Sequence, residues 1–197
     1  PEVGTMQDVA QIARLARARG ALVHTDAAQS AGKVPVDVGA LGVDLLSLAG
    51  HKLYAPKGVG ALWVRSGVAI DRFLLGAGHE SGRRAGTENV AGIVALGKAC
   101  EIASERLAID PPRLEALRER LFGSLSREAA PVRRNSPREG CLPNTLSVAF
   151  RGLEAPALLA AVGDRVAASP GAACHSSGVV LSSVLAAMGV PAEDAKG

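Results

Sequence analysis

The chemistry-bearing groups of this chain are a lysine and a carboxylate at strand ends and a cysteine in a loop of small residues. Asp26 closes the apolar run Ala21-Leu22-Val23-His24-Thr25, with Gln29 three residues later. Ser47 and the pair His51-Lys52 bracket the end of a second run, Asp44-Leu45-Leu46-Ser47-Leu48-Ala49. Polar groups at strand ends are where α/β sheets bind ligands. Lys52 lies in a polar, glycine-bearing turn from Gly50 to Gly58. A lysine there is either an ordinary surface charge or, when desolvated, a free amine able to attack carbonyls. Cys174 stands in Gly171 to Gly178 beside His175, and a neighbouring imidazolium favours the reactive thiolate. Some such help is needed, because an ordinary thiol with pKa near 8.5 is only about 3% ionised at pH 7.

The other candidates are weaker. Cys100 falls on an apolar helical face and reads as core filler, and Cys141 in a proline-rich loop has no partner pattern. His24, His51, His79, His175 and the cysteines show no CxxC, HxxxH or HExxH spacing, so no metal site is expected. A serine hydrolase elbow, G-x-S-x-G, is also missing.

The elements that must position these groups alternate between helix and strand, the punctuation of an α/β fold. Thr5 can cap a helix from Met6 to about Arg19, with Val9, Ile12, Ala13, Leu15 and Ala16 at helical spacing and Gly20 as the stop. Strands follow at Ala21–Thr25, Asp44–Ala49 and Gly60–Arg65. Gly76 to Thr87 has no period and reads as a loop, and Glu88 to about Ala108 regains helical spacing. Asp110-Pro111 suits the start of a helix reaching Arg127. Pro131 to Pro143 reads as a solvated basic loop, Thr145–Phe150 as a strand, Ala155–Val162 as a short helix, Val166–Ala168 as a strand and Ser182–Met188 as a helix.

Composition narrows the function classes. A net charge of +3, from 22 basic and 19 acidic residues, is too weak to imply a nucleic-acid or membrane partner. With one Trp, one Tyr and three Phe there is no stacking platform for single-stranded nucleic acid. Apolar runs fall far short of the ~20 residues of a membrane span, and three widely spaced cysteines do not form a secreted disulfide framework. A cytoplasmic protein with reduced thiols is expected. The chain opens at Pro1 without Met and stops at Gly197 without a closing element, as expected of a piece of something longer.

The motifs together resemble a known family. His24-Thr25-Asp26-Ala27-Ala28-Gln29, then Ser47-Leu48-Ala49-Gly50-His51-Lys52 and Ala55-Pro56-Lys57-Gly58-Val59-Gly60, are similar to the pyridoxal-phosphate core of the cysteine desulfurase and selenocysteine lyase family, of the NifS and IscS type. Gly78-His79-Glu80 through Arg84-Ala85-Gly86-Thr87-Glu88-Asn89 resembles its glycine-rich dimer loop, and Gly171 to Ser176 its nucleophile loop. Lys52 and Cys174 stand 122 positions apart, a separation similar to the family's.

The resemblance implies an α/β chain that is a fragment of a fold type I pyridoxal-phosphate transferase. Residues 1–108 would be the C-terminal part of the large, mostly parallel cofactor-binding domain, and 109–197 a smaller α+β domain carrying the nucleophile loop. Lys52 would bind pyridoxal 5′-phosphate covalently, Asp26 would pair with the ring nitrogen, Gln29 with the phenolic oxygen, and His51 with the phosphate. Thr87 would reach the phosphate of a neighbouring subunit, making a homodimer part of the site. The implied reaction converts L-cysteine to L-alanine, with a persulfide on Cys174 for a sulfur-acceptor protein. The alternatives are a selenocysteine lyase or, in another class, a non-catalytic interaction module. Departures from the family pattern are Ala49 where a phosphate-binding serine usually stands, Pro1 for a hydrogen-bonding Asn, and Ala77 interrupting a triple glycine. The family's amino-terminal phosphate loop and ring-stacking histidine, and its carboxy-terminal substrate arginine, lie outside these residues.

Overall fold

A computed structural model describes residues 2–129, 131–170 and 182–197. They form two compact units, Asp8–Asp110, and the opening residues to Gln7 together with Pro111–Gly197.

The first unit starts with α1 (Val9–Arg17), which buries Ala13. Its cap is Asp8, whose Oδ1 accepts the Gln11 N–H at 2.9 Å. The expected cap, Thr5, instead lies in a β-bridge with Cys141 in the second unit. The bridge takes Thr5 away with residues 2–7, leaving Asp8 as the first side chain able to reach the orphan amides. Strand β1 (His24–Asp26) and strand β2 (Leu45–Ala49) run parallel, in the register His24 to Leu45 and Asp26 to Ser47. A parallel pair needs a long crossover, and residues 27–44 supply it, including the one-turn helix α2 (Val38–Leu41). Strand β3 (Gly60–Val64) then pairs antiparallel with β2, giving the order β1-β2-β3.

Helix α3 (Val90–Arg106) follows, capped by Asn89. Ala13, Ala27, Val43 and Leu46 form one core cluster, with Val23 and Trp63 packed on it; Ala31, Leu53, Ala55 and Leu96 form a second, against which half-buried Cys100 packs. At the entry of the sheet, buried Asp44 accepts the Val23 N–H at 2.8 Å and the Arg65 Nε–H at 2.7 Å. Those donors, the Val23 amide first and Arg65 after it, hold the Asp44 carboxyl below its ordinary value against the opposing effect of burial.

The second unit is built on α4 (Asp110–Glu128), whose first residue alone belongs with the first unit. Strand β4 (Val132–Arg134) pairs antiparallel with β5 (Val148–Phe150), followed by α5 (Ala155–Val162) and α6 (Ser183–Ala187), the latter capped by Ser182. The stretch expected to be a solvated loop from Pro131 to Pro143 therefore opens with a strand. Its Arg134 grips Glu119 with two nitrogens, at 2.7 and 2.8 Å, and lies over the Phe122 ring. Those partners sit on another element, beyond the reach of a local charge-run argument. Val166–Ala168 forms no strand. A three-residue run just before Ser169-Pro170 is too short to hold a ladder without a neighbour.

Candidate active site

Parallel strands end at the same edge of their sheet, which brings the sequence's two main candidates to one place. Asp26 is the last residue of β1, and the 3₁₀ turn Gly50–Leu53, carrying His51 and Lys52, begins directly after β2. The turn folds tightly because position 50 has no side chain. Gly50 N donates to the Val59 carbonyl at 2.9 Å, and a Cβ there would sit 2.7 Å from that same oxygen. After the turn, Tyr54 adopts the left-handed φ of 65°, a costly conformation for a bulky residue.

The side chains at this edge lack ion-pair partners among the described residues. Asp26, His51 and Lys52 are exposed, Gln29 is half-buried, and no hydrogen bond or ion pair joins any two of the four. Asp26 is nevertheless aimed: its Oδ1 accepts the Ala28 N–H at 2.8 Å, leaving Oδ2 for a ligand. The adjoining backbone is anchored by Ala27 N donating to the Ser47 carbonyl at 2.9 Å.

Two features here escaped the sequence reading. Half-buried Lys33 points its Nζ at the Lys52 carbonyl, 3.5 Å away; burial first, then the charge of Lys52, holds its pKa below the ordinary lysine value. Its position seven residues after Asp26 carries no periodic signal that would have placed it there. His24 Nε2 and Ser47 Oγ are 2.7 Å apart. His24 shares a strand face with Asp26 by the two-residue period, which is the signal that could have found it.

Thr87 is exposed, and among the described residues no hydrogen bond or ion pair links it to the four groups above. The loop before it turns through Glu80 and Ser81, both at positive φ (49° and 57°). Arg84 pairs with Glu80 at 3.2 Å, and the Glu88 carboxyl is held below its ordinary value by the backbone amides of Glu88 and Glu80. Cys174 and its loop lie outside the described residues. Among the described residues no cluster of three His, Cys, Asp or Glu side chains could hold a metal ion.

The sheet edge is a ligand-binding position of the α/β type, where neighbouring parallel strands end and a carboxylate, an amide, an imidazole and an amine stand together. The comparisons are specific. The family model for class-V aminotransferases matches residues 2–189, and the chain belongs to that family. It is 41% identical over its whole length to a cysteine desulfurase IscS of Dictyoglomus turgidum and 45% identical to a cysteine desulfurase of Gluconacetobacter diazotrophicus. It spans about half the length of these curated relatives, 50% and 49%.

Among solved structures, a NifS-like protein from Rickettsia africae superposes with a TM-score of 0.87 at 31% identity, over 99% of this chain and 51% of the other. SspA, solved in complex with cysteine, superposes with a TM-score of 0.76 at 33% identity, over 98% of this chain and 53% of the other. These likenesses carry the fold type I pyridoxal-phosphate architecture. The residues present fit the cofactor at Asp26, Gln29, His51 and Lys52. The fit is poorer at Ala49, a methyl where an anion would want a donor. Ser47, two residues earlier on the same strand face, has its hydroxyl 2.7 Å from His24 Nε2.

Proposed function

We propose that this chain carries the cofactor-holding strands and the nucleophile of a pyridoxal-phosphate-dependent cysteine desulfurase. The observation that carries the reading is the placement of Asp26 and Lys52 at the C-terminal ends of neighbouring parallel strands, flanked by Gln29 and His51. Pyridoxal phosphate, when bound, supplies a pyridinium ring that accepts an electron pair from a substrate carbon. Asp26 holds the proton on the ring nitrogen, Gln29 hydrogen-bonds the phenolic oxygen, His51 contacts the phosphate, and Lys52 anchors the cofactor and moves protons.

The substrate is L-cysteine. The Cys174 thiolate bonds to the substrate sulfur as the carbon–sulfur bond breaks. The electron pair left on carbon takes a proton delivered by Lys52, yielding L-alanine and a Cys174 persulfide for a sulfur-acceptor protein. The unit of Asp8–Asp110 belongs to the cofactor domain, and the unit of the opening residues with Pro111–Gly197, whose sequence includes Cys174, is the small domain. Thr87, exposed and, among the described residues, without a link to its own chain's site, serves the phosphate of a second subunit in a homodimer. The protein works in the cytoplasm. The cysteine pattern supports that reading: three widely spaced thiols form no secreted disulfide framework.

The test is to add pyridoxal phosphate to the purified protein and follow the visible absorbance. A band that appears in the unsubstituted protein and not in Lys52→Ala is expected, followed, on adding L-cysteine, by alanine and a Cys174 mass increase of one sulfur. A band of equal strength in Lys52→Ala sinks the reading. Cys174→Ser is expected to lose turnover on cysteine; if it keeps lyase activity on selenocysteine, the selenocysteine-lyase reading replaces this one.

A further inference from the structure

We propose that His24 and Ser47 form a positioning pair that holds the Asp26 end of β1 against the strand leading to Lys52. The role in catalysis rests on the functional reading above; the mechanical role does not. Strand β1 is three residues long and, among the described residues, pairs with β2 alone, so here its last residue is placed by its bonds to β2. Ser47 lies directly across from Asp26 in the register and grips β1 on both sides of it. Its carbonyl accepts the Ala27 N–H at 2.9 Å, and its hydroxyl meets His24 Nε2 at 2.7 Å.

Among the described residues, that contact is the only side-chain hydrogen bond joining β1 to β2. The pair and Asp26 occupy one face of the sheet, since residues two apart on a strand point the same way. The direction of the Asp26 carboxylate in turn depends on Ala28, whose N–H it accepts at 2.8 Å. A shift of β1 by a few tenths of an ångström at residue 24 or 27 therefore reaches the carboxylate through two covalent neighbours. Neither His24 nor Ser47 needs to touch a ligand for this; they act through Asp26.

Amide hydrogen exchange at Ala28 reads the carboxylate's hold directly and needs no cofactor. In Ser47→Ala and in His24→Phe, exchange at Ala27 and Ala28 is expected to quicken about fivefold, the loss of one net hydrogen bond. Amides of α3 should stay unchanged, and Ser47→Thr, which keeps the hydroxyl, should restore protection. With pyridoxal phosphate added, the half-saturation concentration of the Lys52-dependent band should rise by a similar factor. The double variant should be no worse than either single one, because the two residues act as a unit. Unchanged exchange at Ala28, or quickening spread evenly through α3, overturns the proposal, as does an additive double variant. If the unsubstituted protein forms no band, the functional reading fails, while the Ala28 exchange still decides whether the pair holds Asp26.

Discussion

The sheet edge of the first unit and the body of the second unit use charge in opposite ways. At the sheet edge of the first, Asp26, His51 and Lys52 stand exposed without ion-pair partners among the described residues. In the second, charged side chains are tied to one another: Arg118, 5% exposed, donates to the Leu142 carbonyl at 2.8 Å and to Glu115 and Glu119, both at 2.9 Å. Arg134 clasps Glu119, and buried Asp194 pairs with Arg133 and Arg151, each at 3.2 Å. A buried arginine without such partners would cost several kcal/mol, so the second unit must pair its charges to fold. The exposed groups of the first unit keep their hydration, and leaving them unpaired costs little. Charges held by the fold are structural; charges the fold leaves alone are available for chemistry.

That contrast can be broken most severely at the available groups. Lys52→Ala is expected to abolish desulfuration, with turnover down by about a thousandfold or more because the covalent anchor is lost, while the melting temperature stays within a degree or two. A large stability loss would make Lys52 a structural residue and erase the distinction. Arg118→Met should do the reverse. Loss of its buried hydrogen bonds is expected to lower unfolding free energy by about 2–4 kcal/mol, measured by urea denaturation.

Gly50→Ala tests whether the lysine turn depends on local fit. The added Cβ meets the Val59 carbonyl oxygen, a backbone atom that cannot rotate away. A loss of about 1–3 kcal/mol and weaker cofactor binding are expected, and an unchanged band would show that the turn can relocate.

Acid probes the paired charges more gently. The Glu119 carboxyl is pushed down to about 2 from its ordinary 4.5, chiefly by hydrogen bonds from Arg134 and with further help from Arg118, against burial. Its folded form binds a proton less readily than its unfolded form, so its contribution is complete above pH 4.5 and disappears as pH falls toward 2. Melting curves of Glu119→Gln across that window should show a flatter pH dependence than the unsubstituted protein. The smallest effect is expected at the exposed pair Lys98–Glu101, 3.0 Å apart: Lys98→Ala should change stability by no more than about 0.5 kcal/mol.

Much of the fold was legible because it is local. Helical spacing located α1, α3 and α4, and apolar runs located β1, β2 and β3, although β1 proved to be three residues rather than five or six. The cap at Asp8, the strand at Val132–Arg134 and the irregular course of Val166–Ala168 were missed. The first two depend on partners distant in sequence, Cys141 for Thr5 and β5 for β4, and the third on the lack of one, none of which a local period encodes. Cys100, read as core filler, does pack against a core cluster.

For the site, residue type and spacing singled out Asp26, Gln29, His51 and Lys52, because a carboxylate or lysine at a strand end is informative before any contact is known. The same reading singled out Cys174 from its small-residue loop beside His175, and placed Thr87 through family likeness alone. Only the tertiary structure decided that β1 and β2 are parallel neighbours and so put Asp26 and Lys52 at one edge. It alone showed that the Ser47 hydroxyl meets His24, and which arginines are locked away. The physical reason is range. Propensity and period act over a few residues, whereas register, burial and ion pairing are set by which distant segments share a surface.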